Sequence, residues 1–368
     1  MSDRLLKETA EVSPQATREK SPGELGYPMI YWLALARSVH IGGSILLAAV
    51  FVFRLIVLLP ATTSANRAAD RLRLRLEGSF RCLVFVSWTA VIFSGLAWFM
   101  LVAASIGGEA VFLGIQLDTL EIILFRTQFG HLWLFRFGCC LVLGALLLTK
   151  RCESISTGLA VLVLASLGGA GHAGASASST GLVALAVDVG HLVFAALWPG
   201  GLVPLLLFLF AERRAIQERN LLARVVRRFS AMSLTAVIFL GVTGIINAYF
   251  LVGSLRALFE TPYGQLLLIK IALFLLMIGF GAWNLLVLKP GLLRLAEVDP
   301  QRGSPKFVAC LYRNVACETV LAAGVLLIIG LLGVTAPPMP SCDGRDALPR
   351  NARQDVRWIT SGAAPLIV

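Results

Sequence analysis

Thr127-Gln-Phe-Gly130-His-Leu-Trp-Leu-Phe-Arg136 and Thr261-Pro-Tyr-Gly264-Gln-Leu-Leu-Leu-Ile-Lys270 share the pattern T-x-[FY]-G-x-L-x-L-x-[RK]. Each opens a long apolar run. Upstream, Thr89-Ala-Val-Ile-Phe93 recurs as Thr235-Ala-Val-Ile-Phe239, and before those His40 and His191 lie in corresponding runs. Two motifs in one order, at matching places in their runs, predict a duplicated unit. The runs fall near 29–59, 80–105, 130–149, 156–172, 182–210, 230–252, 264–288 and 310–335. Each is long enough to cross about 30 Å of hydrocarbon as a helix, the fourth being the weakest because Gly168, Gly169, Gly171 and Gly174 fray its end. Four helices per unit is an even number, so both copies insert in the same direction. The expected fold is an all-α polytopic membrane protein of eight transmembrane helices, arranged as two parallel four-helix repeats. Residues 29–175 form the first repeat and 182–336 the second, between polar tails at 1–28 and 337–368.

Composition agrees. Of 368 residues, 57% are hydrophobic and 14% charged, against about 25% charged in soluble domains. Water-soluble enzymes, disordered proteins and nucleic-acid binders are excluded. The net charge of +11 therefore needs another account. Arg67, Arg71, Arg73, Arg75 and Arg81 lie between runs one and two, and Lys150 and Arg151 between three and four. Arg213, Arg214, Arg219, Arg224, Arg227 and Arg228 lie between five and six, and Lys289, Arg294, Arg302 and Lys306 between seven and eight. The alternate loops are poor in cations, so the positive-inside rule puts both termini outside, with membrane lipid as the partner of the charge. The tail at 1–28 lacks a signal peptide's apolar region and is expected to be disordered. Segment 106–126 has no counterpart in the second copy. Leu117, Leu120, Ile123 and Leu124 in it predict a short amphipathic helix.

There are only four histidines, His40, His131, His172 and His191, and all fall in the outer half of the bilayer. Ionisable groups inside a membrane are functional candidates by default. Neutral imidazole offers a lone pair to a metal. Asp188, one turn before His191, is placed to orient that ring, and Arg37 one turn before His40 disfavours its protonation. Met29, Met100 and Met339 lie at the same level, and imidazole with thioether points to copper. The expected ligands are His40 and His191, completed by His172 or Met100, with His131, Met29 and Met339 as further candidates. Each also has a plain reading. His131 suits a structural interfacial role, the methionines suit packing, and Arg136 and Lys270, at one register in the two copies, suit snorkelling or an ion pair with Asp188. Glu318 is expected to pair with Arg313 or another cation of the inner loops. No nucleotide-binding loop or catalytic motif is present, which favours a transporter over an enzyme. Two histidines on related helices also suit bis-imidazole ligation of haem b, so a membrane oxidoreductase is the alternative.

His191-Leu-Val-Phe-Ala-Ala-Leu-Trp-Pro-Gly-Gly201, Arg228-Phe-Ser, Thr243-Gly-Ile-Ile-Asn247 and the element from Thr261 to Lys270 resemble the CopD family of bacterial inner-membrane copper resistance and uptake proteins. The resemblance is fullest over 185–335 and weaker before it. It implies eight helices, movement of copper from periplasm to cytosol, both termini in the periplasm, and a CopC-like periplasmic carrier as partner. The family's histidines map onto His40 and His191, and less closely onto His172. Pro199 stands between Trp and Gly-Gly where a small or β-branched residue is expected, and predicts a kink just below His191.

Overall fold

A computed structural model describes residues 27–62, 67–107, 117–149, 153–170, 179–215, 219–298 and 305–338. Among them there is helix and no strand. Helix α1 (Tyr27–Val52) runs on to Ala61. It is followed by α2 (Arg67–Gly107), short α3 (Leu117–Arg126), α4 (Gln128–Thr149) and α5 (Glu153–Ala165). Then come α6 (Ser179–Ala195, continuing to Ala215), α7 (Arg219–Val252) and short α8 (Leu255–Glu260). Last are α9 (Pro262–Trp283, continuing to Val298) and α10 (Pro305–Leu332).

Among the described residues, seven stretches are long and apolar enough to cross a membrane: Met29–Ala61, Leu76–Ser105, Gln128–Thr149, Gly181–Glu212, Asn220–Val252, Pro262–Arg294 and Phe307–Leu332. The sequence predicts eight. The fourth, α5, has 13 residues and spans only about 20 Å. Its regular helix stops at Ala165, and the glycines beyond enter a 3-10 turn at Gly168–Ala170 instead of prolonging it.

Met29–Ala61 is the most enclosed of these stretches and Gly181–Glu212 the next. Helix α1 packs on α2, α5, α10 and the middle of α6, while α6 packs on α7, α10, α5 and α2. Small residues set the closest crossings, as usual where lipid supplies no hydrophobic drive between helices. A Cβ on Gly330 of α10 would strike the Ala34 carbonyl of α1, and one on Gly200 would come within 2.8 Å of Ile45.

Three prolines within the described helices, Pro60, Pro199 and Pro290, lie in or just after a π-turn, and Pro204 follows the second of these turns on α6. Phe53–Leu58 precedes Pro60, Ala196–Gly200 contains Pro199, and Asn284–Leu288 precedes Pro290. A proline cannot donate to the carbonyl four residues back, and the wider turn absorbs its ring. So Pro199 is taken up by a local π-turn and the helix continues. Beside Pro60, Arg228 of α7 donates to the Ile56 carbonyl at 3.3 Å, while Arg224 donates to the Ala61 carbonyl at 2.9 Å. Two arginines counted above only as loop charge thus cap the end of α1.

The repeated T-x-[FY]-G element is a connector. Thr127 Oγ1 donates to the Ile123 carbonyl at 2.6 Å and accepts from Gly130 N at 3.0 Å; Thr261 does the same with Ala257 at 2.7 Å and Gly264 N at 3.0 Å. Glycine is required because a Cβ at either position would strike carbonyls of the preceding short helix. The expectation that 106–126 has no counterpart is corrected accordingly: α3 forms as predicted, and α8 answers it in the second half. The added length lies before α3, around 108–116, outside the described residues.

Candidate functional site

His40 is 1% exposed and its ring is held at both nitrogens. Nδ1 lies 3.0 Å from the Val91 carbonyl and 3.3 Å from Ser94 Oγ on α2. A carbonyl only accepts, so Nδ1 carries the proton and Nε2 the lone pair. That lone pair receives Nη2 of Arg136 at 2.7 Å. The guanidinium, 2% exposed, also donates Nη1 to the Val163 carbonyl at 2.7 Å and to Ser166 Oγ. Arg136 thus binds the C-terminal end of α5, where the exposed carbonyls and the helix dipole favour a cation. Expected to snorkel or to pair with a carboxylate, it does neither. Trp98 and Trp133 close the pocket, with ring centroids 5.6 and 5.0 Å from that of His40, and Arg37 lies 4.7 Å over Trp98. A Cβ on Gly95 would come within 2.9 Å of both His40 and Trp133. In this arrangement His40 has no lone pair left for a metal.

His191 sits differently. It is only partly buried, and its Nδ1 lies 2.9 Å from Thr243 Oγ1 on α7. That hydroxyl spends its proton on the Phe239 carbonyl at 2.6 Å, so the imidazole donates from Nδ1 and Nε2 keeps its lone pair. Among the described residues nothing hydrogen-bonds that nitrogen. Around it, Asp188 is hydrogen-bonded by Asn247, and Lys270 is close enough to act on the charges of both Asp188 and His191. Lys270 and Asp188 lie in one neighbourhood, but among the described residues they do not form the ion pair that the sequence suggested. Below His191, Phe194 stacks on Phe239 at 4.5 Å, and Trp198 meets Phe274 at 5.8 Å.

The remaining candidates are scattered. His131 donates or accepts nothing toward a centre: its Nε2 bonds the Phe125 carbonyl at 3.0 Å, and Gln265 bonds the Phe259 carbonyl at 3.4 Å in the second half. A glutamine can do this, so the histidine belongs to the connector. Met100 packs against the core beside Phe99, and Met29 is partly exposed at the start of α1. His172 and Met339 lie outside the described residues. Among the described residues, no three His, Cys, Asp or Glu side chains gather as a metal site. Glu318 does not pair with Arg313, which is exposed; Asn284 Nδ2 donates to it at 2.6 Å and the Trp198 indole donates as well.

Sequence reading missed the partners of the two histidines, Ser94-Gly95 and Thr243-Gly244. In each pair a hydroxyl meets Nδ1 and a glycine faces the ring; Gly95 is needed to make room for it, whereas a Cβ on Gly244 would only touch His191 at 3.7 Å. The recurring pentapeptides point one turn away, because their register pairs Ser94 with Leu240 and not with Thr243. A hydroxyl-glycine dipeptide on the helix following each histidine was the available signal.

The family model "Copper resistance protein D" matches residues 223–332, and "Copper resistance protein D-like, N-terminal domain" matches 28–182. Copper resistance protein D of Pseudomonas syringae pv. tomato is 30% identical over 227 residues, covering 60% of this chain and 72% of that protein. The chain belongs to the copper resistance protein D family. Inner membrane protein YebZ of Escherichia coli is 31% identical over 58% of this chain and 70% of its own length. Copper transport protein CutJ of Bacillus subtilis is 33% identical over 45% of this chain, and the match takes in 31% of CutJ. No solved structure matches. With its membrane-length helices, this copper resistance protein D relative is a multi-pass protein of the inner membrane.

Proposed function

We propose that this chain is a copper permease that loads the metal at His191 in the outer half of the bilayer and passes it from periplasm to cytosol. The observation that carries the reading is the Nε2 lone pair of His191, fixed in direction by Thr243 and free of protein partners among the described residues. Hydrogen-bonding one ring nitrogen to orient the other is how proteins prepare a metal-ligating imidazole. His172 completes the ligand set in this proposal, with Asp188 and Lys270 setting the local charge. His40 joins only if Arg136 withdraws from it, and its present role is to anchor α1 to α2 and α4. Met100, packed in the first half, and the connector residue His131 are left out of the metal path.

The same reading takes α5 and its glycine-rich extension as a short eighth crossing, with two parallel repeats and both termini in the periplasm. The like neighbours of α1 and α6, the matched hydroxyl-glycine pairs and the matched connectors support it. A CopC-like carrier is the proposed donor of copper. Haem ligation by His40 and His191 finds no support, since the His40 ring is enclosed by two tryptophans and bonded at both nitrogens.

Purified protein in vesicles supplies the test. Copper added outside is expected to accumulate inside faster than in protein-free vesicles, and His191→Ala to fall to the protein-free rate. Wild-type uptake no faster than protein-free vesicles overturns the permease reading.

A further inference from the structure

Trp198 follows His191 by seven residues on α6, two turns or about 10 Å deeper along the helix. Beneath its ring lies a cavity of about 150 Å³ between α6, α7, α9 and α10. Its lining runs from the middle of each helix toward the ends that carry the arginine-rich loops: Trp198 to Leu205, Val226 to Val237, Ile278 to Leu285, and Leu311 to Glu318. At its head sits Glu318, 2% exposed. The Trp198 indole and Asn284 Nδ2 donate to its carboxylate, the latter at 2.6 Å, and Asn314 Nδ2 holds the Asn284 oxygen at 3.1 Å. Asn284 is the first residue of the π-turn before Pro290, so the break in α9 presents this amide.

No other described lining residue on α6, α7, α9 or α10 is ionisable; Ser230 and Ser233 supply hydroxyls, and Arg313 is exposed outside the lining. A carboxylate halfway along membrane helices is costly unless it is paired or neutralised. Its oxygens are hard donors, ill suited to a soft copper ion. A proton is the ligand that neutralises it, and a cavity of this size with two hydroxyls and a carboxyl has room and partners for water.

We propose that Glu318 is a proton-binding site that exchanges with water from the arginine-rich side through this cavity, and that its protonation is linked to passage of the metal past Trp198. The linkage rests on the permease reading, whereas the proton site stands without it. The step balances simply: a hydronium reaching the cavity from the arginine-rich side gives its proton to the carboxylate, leaving water and the neutral acid, and the reverse transfer regenerates carboxylate and hydronium.

Infrared difference spectra of the metal-free purified protein, recorded as pH is stepped, test the site. The carbonyl stretch of a buried carboxylic acid is expected to grow on acidification, to be absent in Glu318→Gln, and to move to higher frequency in Asn284→Ala as the donated hydrogen bond is lost. Glutamine keeps the acceptor for Asn284, and the Asn284 variant reports even if Glu318→Gln folds poorly. A spectrum with no titrating carboxyl band, or with a band unaltered by both substitutions, overturns the proton site. In vesicles, an imposed pH gradient is expected to change wild-type copper uptake at least several-fold and to leave Glu318→Gln uptake unchanged. Equal pH sensitivity in the variant overturns the linkage. A titrating band in a protein that moves no copper overturns the permease reading and keeps the site.

Discussion

Replacing His40 by alanine is expected to destabilise the fold far more than replacing His191, although the two occupy corresponding helices. His40→Ala leaves Arg136 Nη2 without its acceptor in a buried pocket, and takes one donor from the Val91 carbonyl, which lies within α2 and is still reached by Ser94 Oγ at 3.5 Å. The charged donor left unsatisfied costs about 2–3 kcal/mol and the hydrogen bond lost from the carbonyl about 0.5–1.5 kcal/mol. The ring also fills space between Trp98 and Trp133, and deleting it opens a cavity costing roughly 1–2 kcal/mol more. The sum, about 4–6 kcal/mol, is comparable to the whole stability of many domains. His191→Ala removes one hydrogen bond from a partly exposed ring and should cost about 0.5–1.5 kcal/mol. Unfolding in mixed micelles, followed by tryptophan fluorescence, measures both. Arg136→Met supplies the control: once the guanidinium has gone, His40→Ala should cost about 1–3 kcal/mol less, the signature of residues in contact. A His40 variant within about 1 kcal/mol of wild type, or strict additivity with Arg136→Met, refutes the reasoning.

His131→Gln should unfold at the wild-type temperature, because Gln265 makes the same contact in the second half, while His131→Ala should lose about 0.5–1.5 kcal/mol. Any loss of bound copper in His131→Gln would return that histidine to the metal path. Arg228→Ala removes a donor from the Ile56 carbonyl beside Pro60 and should cost about 0.5–1.5 kcal/mol. Adding a backbone donor with Pro60→Ala should shrink that cost, and the same unfolding measurement reads it.

Much of this architecture is written in hydropathy, because a membrane helix needs only length and apolar composition. The helices are found close to where the runs predict them, and α3 forms over the residues named for it. The short α5 was legible only as weakness, since run length does not reveal where glycines end a helix. The site was less legible. Ionisable residues in lipid stand out in a sequence, so His40, His191, Arg136, Lys270 and Asp188 were all singled out. Their distribution was hidden because it depends on which side chain faces which across helices. Arg136 takes the His40 lone pair, and no feature of residue 136 alone distinguishes that from snorkelling. Thr243 and Ser94 are ordinary hydroxyls in an apolar run and acquire meaning only beside a ring. Glu318 was visible, but its amide partner Asn284 lies 34 residues away on another helix, and Asn314, one turn before Glu318, acts only by holding that amide.

The central claim is that the His191 imidazole, and not that of His40, offers its lone pair to copper. Copper bound per chain, measured by equilibrium dialysis of purified protein at a temperature where all variants stay folded, tests it directly. The account predicts wild-type stoichiometry in His40→Ala and its loss in His191→Ala. Copper retained by His191→Ala, or lost by a folded His40→Ala, would contradict it.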